Sequence, residues 1–338
     1  MRSNGQGQGE GQGEGQGEGQ GQGQGQGTTG VETRESGQGR RWHAHRLPRG
    51  EVELAWYEIG DGPPVVLLHG GPGLDHRYVR PLGELLAVRF RCVLYDQRGE
   101  GQSRLVRADE HTLHPQRAIE DLEALREHLG LHRLRLVGHS GGANLALRYA
   151  ALLPERVARL ALLGLGPLDA EMKGVYEANV RRPLSAAERE AFEVLSRRRR
   201  EALAAGDAPA YRAASARRDA LHARCWFYSP TVAARYTQGL LELADDPYAT
   251  AVRAGYAARG AAAEGGAGMP DAWSMAERVT APALIVYGYQ DYEPIVQAYR
   301  LKERMPQAQL SLLNECSHFL WLEQPARLGS VLSTFLAS

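Results

Sequence analysis

The residues with the clearest chemical potential begin at Gly138-His139-Ser140-Gly141-Gly142, which follows the apolar run Leu134–Val137 and precedes a helical pattern over Ala143–Leu152. A Gly-x-Ser-x-Gly pentapeptide between a strand and a helix makes a tight turn that pushes the serine side chain out at the sheet edge. Gly138 and Gly142 are required there because a Cβ would crowd the crossing, and the helix N-terminus favours negative charge beside Ser140. Serine becomes a useful nucleophile only when a base takes its proton and a third group orients that base. His318, after Asn314-Glu315-Cys316-Ser317, lies in the loop behind the final apolar run, and Asp291 ends Gly288-Tyr289-Gln290-Asp291 behind the run before it. Asp169, behind Leu160–Leu163, is a second candidate for the acid. Donors for a developing oxyanion are expected from the backbone N–H of Gly141 and from His69-Gly70-Gly71-Pro72-Gly73, with Gly71 first and Gly70 next. His69, Asp96 and Arg98 are expected to brace these loops.

These residues need a scaffold that brings strand ends together. Short apolar runs at Val52–Ile59, Pro64–Leu68, Phe90–Tyr95, Leu134–Val137, Val157–Leu163, Ala283–Tyr287 and Gln309–Leu313 alternate with helical spacing at 115–129, 143–152, 295–304 and 325–336. That alternation predicts an α/β fold with a mostly parallel central sheet flanked by helices. Residues 41–166 and 279–338 form the expected core. The stretch 167–278 is rich in Ala, Arg and Glu and reads as a helical insertion, a lid over the C-terminal strand ends where open sheets bind ligands. Trp226 and Phe227 in it are candidate pocket walls. The arginine run 197–200 reads as a solvated helix face.

Residues 1–40 are dominated by Gly-Gln and Gly-Glu repeats, which offer no apolar surface to offset the entropy of ordering, and are expected to be disordered. Over all 338 residues, 43% are hydrophobic and 40 basic residues balance 40 acidic ones, so charge gives no reason to expect a nucleic-acid or membrane partner. Three cysteines without CxxC spacing argue for free thiols rather than a disulfide or zinc site. No secretory signal or membrane span is recognisable, and a soluble, cytoplasmic protein is expected.

Taken together, His69–Gly73, Asp96-Gln97-Arg98-Gly99 with Gly101 and Ser103, the Ser140 turn, Gly288–Asp291 and Ser317-His318 resemble the α/β-hydrolase superfamily. The first two motifs are similar to its prolyl aminopeptidase branch. The resemblance implies a hydrolase acting on a small molecule or short peptide, without metal or organic cofactor, whose triad is Ser140, Asp291 and His318. It departs from that branch at Gly141, where a Trp is usual. The branch also pairs acidic lid residues with the substrate amine, and Glu242, with Asp245 and Asp246, is the candidate here. Carbon–carbon bond hydrolysis by the same triad and ligand binding by an idle scaffold are the alternative readings.

Overall fold

In the computed structural model, residues 40–109, 111–262, 271–305 and 307–338 are described; the tail expected at 1–40 lies outside them up to residue 39. The chain runs β1 (His43–Arg49), β2 (Val52–Ile59), β3 (Pro64–Leu68), α1 (His76–Leu86), β4 (Arg91–Tyr95), α2 (Pro115–His128), β5 (Leu134–His139), α3 (Gly141–Leu152) and β6 (Val157–Leu163). Then follow six helices: α4 (Ala170–Arg181), α5 (Ala186–Ala205), α6 (Ala208–His222), α7 (Pro230–Ala244), α8 (Pro247–Ala262) and α9 (Ala272–Arg278). The chain closes with β7 (Ala283–Gly288), α10 (Ile295–Arg304), β8 (Ala308–Leu313), α11 (Leu320–Glu323) and α12 (Pro325–Ala337).

One eight-stranded sheet orders these strands β1-β2-β4-β3-β5-β6-β7-β8. β1 pairs antiparallel with β2, and β2 with β4; every later pairing is parallel. Side chains alternate faces along a strand, so a continuous apolar run feeds two cores at once. Val65 and Leu67 join Val79, Leu82, Leu328 and Leu332 of α1 and α12 on one face. Val66 and Leu68 join Ile119, Leu122, Ala146 and Ala298 of α2, α3 and α10 on the other.

Besides the short α11, two elements near the start of the sheet were not legible. β1 is a partly exposed edge strand rich in His and Arg, turned back onto β2 through Gly50 at φ +63°. α1 follows a Gly-Pro loop and contains Pro81, signals that read as loop, yet Asp75 caps it by accepting the Arg77 N–H at 2.9 Å. The helical segment between β6 and β7 shows its own punctuation. Ser185 and Glu188 form a capping box at the start of α5, and Gly206 ends it in the left-handed conformation. This segment rests on loops behind the strands. Asn179 donates to Tyr292 O (3.1 Å), Ser317 Oγ donates to Cys225 O (2.8 Å), and Tyr228 and Ser229 N–H both donate to Glu323 (2.8 Å).

The loop after β4 is pinned to α2 by a fork of Arg98 onto both Asp121 oxygens (2.7 and 2.9 Å), with both side chains almost fully buried. Removing Asp121 leaves the buried Arg98 charge with only Glu51 (3.2 Å) and Thr112 O (2.8 Å) on Nη1 and, among the described residues, nothing on its Nε and Nη2 donors. Asp121→Ala is therefore expected to lower unfolding stability by about 3 kcal/mol, read from urea denaturation; a change within experimental scatter would show the pair to be dispensable.

Candidate functional site

Ser140 sits between β5 and α3 at φ +54° and ψ −122°, a conformation that costs a non-glycine residue energy and persists only when its surroundings enforce it. The enforcement is visible. Its N–H donates to Leu163 O on β6 at 2.9 Å. A Cβ on Gly138 would lie 2.4 Å from Gly142 O, and one on Gly142 would lie 2.3 Å from Leu68 O. The two glycines are thus needed for different reasons: the first lets the turn cross itself, the second lets it sit against the end of β3.

His318 Nδ1 faces both oxygens of Asp291, at 3.1 and 3.2 Å, in a setting where both residues are buried. That leaves Nε2 on the opposite ring edge. Asp291 is held in turn by the Glu293 N–H, which donates to its Oδ1 at 3.0 Å. The loops behind β7 and β8 touch directly, because a Cβ on Gly288 would fall 2.3 Å from the carbonyls of Cys316 and Ser317. A Cβ on Gly164, one residue beyond Leu163, would stand 3.0 Å from both Asp291 Oδ2 and His318 Nδ1. The end of β6 therefore adjoins the turn bearing Ser140 and the His318–Asp291 pair. Asp169 is elsewhere: it caps α4 through Met172 N–H (2.7 Å) and accepts from Trp273 Nε1 (2.6 Å).

The glycine loop behind β3 approaches the serine turn closely. A Cβ on Gly141 would lie 2.9 Å from Gly71 O and 3.5 Å from Gly71 N. Gly70 N–H is already committed to the Tyr78 hydroxyl, which favours Gly71 as the loop's free donor. Tyr78 OH also contacts His139 Nδ1 (2.9 Å), and His139 Nε2 contacts His318 O (3.0 Å). A carbonyl can only accept, so Nε2 carries the proton and Nδ1 accepts from Tyr78. The resulting chain runs from Gly70 N–H through Tyr78 and His139 to His318. Burial, with the nearby His318, pushes the His139 pKa well below the usual histidine range, so the ring stays neutral. His69 accepts the Gln97 N–H at 3.0 Å and is likewise pushed down by burial. Glu100 accepts from Gly73 N–H (3.1 Å) beneath this loop, and burial raises its pKa well above the carboxylate range.

Trp226 and Phe227 come to the histidine loop. His318 N–H donates to Trp226 O (3.3 Å), and the Phe227 ring stacks on Phe319 at 5.0 Å. Glu242 does not: it is exposed on α7 and accepts from Gln238 at 2.9 Å. Asp245 pairs with Arg212, and Asp246 caps α8. Tyr78 and Gly164 were missed because one lies on the unforeseen α1 and the other is an isolated glycine. His139 was in view, as the variable residue of the pentapeptide. Asp75, His76 and Asp96 come close enough to suggest a cation site. Their atoms are already used, however: His76 N and Nδ1 and Gln102 N–H bond Asp96, and Arg77 takes Asp75.

A family model described as the alpha/beta hydrolase fold matches residues 63–325. The chain belongs to the α/β-hydrolase family. Its similar relatives include the proline iminopeptidases of Lactobacillus helveticus (42% identical over 93 residues, 27% of this chain and 32% of that protein) and Neisseria meningitidis (38% over 128 residues, 37% and 40%). A 2-hydroxy-6-oxo-6-phenylhexa-2,4-dienoate hydrolase of Comamonas testosteroni is 36% identical over 123 residues, 35% of this chain and 41% of that one. The matched segments span about a third to two fifths of these curated relatives. Among solved structures, a dienoate hydrolase from a Rhodococcus species superposes with a TM-score of 0.63 at 22% identity (88% of this chain, 100% of that one). A proline iminopeptidase from Mycobacterium smegmatis gives 0.60 at 22% (87% and 97%), and both likenesses concern the fold alone. No helix among the described residues is long and apolar enough to cross a membrane.

Tyr78→Phe would leave Gly70 N–H and His139 Nδ1 without their shared partner. A stability loss of about 2 kcal/mol is expected, measured by chemical denaturation, and a loss below a few tenths would break the chain's claimed importance. His139 supplies a pH test. Its folded-state pKa lies below the unfolded one, so unfolding takes up a proton below about pH 6.5. The stability present above that pH is lost as pH falls. In His139→Gln this linkage is gone, so the stability gap between parent and variant should narrow by up to about 1.4 kcal/mol per pH unit below about pH 6.5. A gap that is flat with pH would contradict the neutral, buried ring.

Proposed function

We propose that this hydrolase is a serine enzyme that cleaves an ester or amide of a small molecule or short peptide, including the bond after an N-terminal proline, through an acyl-enzyme. The observation that carries the reading is the buried His318–Asp291 pair lying against Gly164, one residue from the carbonyl that holds the Ser140 turn. His318 Nε2 takes the Ser140 hydroxyl proton as Oγ bonds to the substrate carbonyl carbon. Asp291 fixes the ring through Nδ1 and stabilises the imidazolium. The carbonyl oxygen, now negative, is bound by the N–H groups of Gly71 and Gly141 at the start of α3. Collapse expels the alcohol or amine, which leaves with the proton returned from His318. Water then repeats the cycle on the acyl-serine and releases the acid.

The helices between β6 and β7 act as a lid in this scheme, with Trp226 and Phe227 on its inner side. Glu242, bonded to Gln238 on the exposed face of α7, gives no support to a role in binding a substrate amine. The similarity to the dienoate hydrolase of Comamonas testosteroni favours one second reading, hydrolysis of a carbon–carbon bond beside a ketone by the same three side chains.

The parent protein and Ser140→Ala are compared on short p-nitrophenyl esters, proline p-nitroanilide and a vinylogous β-diketone. Loss of turnover on the order of 10⁴-fold or more in the variant is expected. Anilide cleavage selects the aminopeptidase activity, and diketone cleavage with inert esters selects the second reading. Undiminished turnover in Ser140→Ala overturns the mechanism.

A further inference from the structure

Beside His318, on the side of the helical segment, lies a group of polar residues that the proposed reaction leaves unused. The Tyr292 ring is 4.6 Å from His318 and 4.9 Å from His222 of α6. The Tyr176 hydroxyl of α4 contacts His222 Nε2 at 3.4 Å. One helical turn before His222, on the same face, stands Arg218.

Arg218 is largely buried and poorly compensated. Its side chain is 15% exposed, it lies over the Phe192 ring at 4.4 Å, and Nε donates to Ser196 Oγ at 3.1 Å. The nearest carboxylate oxygen, on Asp219, is 3.8 Å from Nη1, beyond hydrogen-bonding reach. Asp219 is instead the close partner of Arg253. Arg199 and Arg181 add further positive charge nearby, and burial combines with them to lower the Arg218 pKa. Burial with Arg218 depresses His222 to about 3, so that ring is neutral and adds no charge of its own. A buried guanidinium without a full partner is costly, and an incoming anion relieves that cost.

We propose that Arg218, with Tyr176 and His222, forms an anion subsite that receives a carboxylate carried by the substrate away from the bond that is cleaved. Two ring-to-ring steps, of 4.6 and 4.9 Å, and one helical turn separate Arg218 from His318, a separation on the order of 15 Å. That reach suits the C-terminus of a peptide with about four residues beyond the cleaved bond, at roughly 3.5 Å per residue, or the far acid of a linear dicarboxylic half-ester. The inference rests on the serine hydrolase reading for its position in the reaction, but not for anion binding itself.

Two substrate pairs separate the sources of the carboxylate. Mono-p-nitrophenyl sebacate against p-nitrophenyl decanoate places the acid on the acyl side; Pro-Gly-Gly-Gly-Gly against its C-terminal amide places it on the leaving side. In the pair that fits, the acidic member is expected to be preferred by about 10- to 100-fold in kcat/KM, through KM. Arg218→Gln should abolish the preference while the neutral member keeps its rate within about twofold. Equal losses on both members, or a preference that survives the substitution, would overturn the subsite. Binding is read separately in the Ser140→Ala background, where sebacate should raise Tm only if Arg218 is present. Protection without turnover in the parent protein would keep the subsite and sink the serine mechanism; neither protection nor preference would sink the subsite.

Discussion

The hydrogen-bonded chain through His139 is the constraint on which the site depends. It joins the glycine loop behind β3, the serine turn behind β5 and the histidine loop behind β8, through Tyr78 on α1. Each link is a neutral group whose donor and acceptor roles are fixed by its neighbours. Because the chain is buried, water cannot replace a missing member, and the whole has only one satisfied arrangement. That rigidity keeps the proposed oxyanion donor, nucleophile and base in register without any group of the chain taking part in bond making.

Close backbone approach is the second constraint. Gly142 against Leu68, Gly288 against Cys316 and Ser317, and Gly164 against Asp291 and His318 each occupy space that a methyl group would fill. These contacts draw five parallel strand ends together, so the loops behind β3, β5, β6, β7 and β8 share one wall. Around them, burial sets the charge state. It lowers the pKa values of His69 and His139 and raises those of Glu100 and Glu293, in each case disfavouring the charged form. A low-dielectric surround of this kind strengthens the hydrogen bonds that remain.

Towards the helical segment the balance changes. Arg218 has Asp219 only at 3.8 Å, Glu177 and Glu193 are taken by Arg181, and other acids of the segment are spent on capping or surface pairs, as with Asp246 and Asp245. The charge that the segment offers the site is thus positive. This is the opposite of the amine-binding carboxylates suggested by the acidic residues 242, 245 and 246.

The parallel core was legible because each strand is a short apolar run feeding two faces, and a helix of matched period follows most of them. The serine turn was legible because its glycines are a steric requirement written in adjacent residues, and Asp291 and His318 because both lie directly behind recognisable strands. β1 and α1 were not, since an exposed His- and Arg-rich edge strand and a proline-containing helix carry local signals that tertiary packing overrides. That Asp291 rather than Asp169 pairs with His318, and that Glu242 lies on the exposed face of α7, depended on where side chains point. So did the assembly of Tyr78, His139, Gly164 and Arg218 around the proposed catalytic groups. Sequence by itself determined the periodicities and the local turn that exposes Ser140, because these depend on residues close along the chain. Only the tertiary structure decided the partners, because they sit on different elements, up to 179 positions apart for His139 and His318, and meet only when the sheet brings its strand ends together.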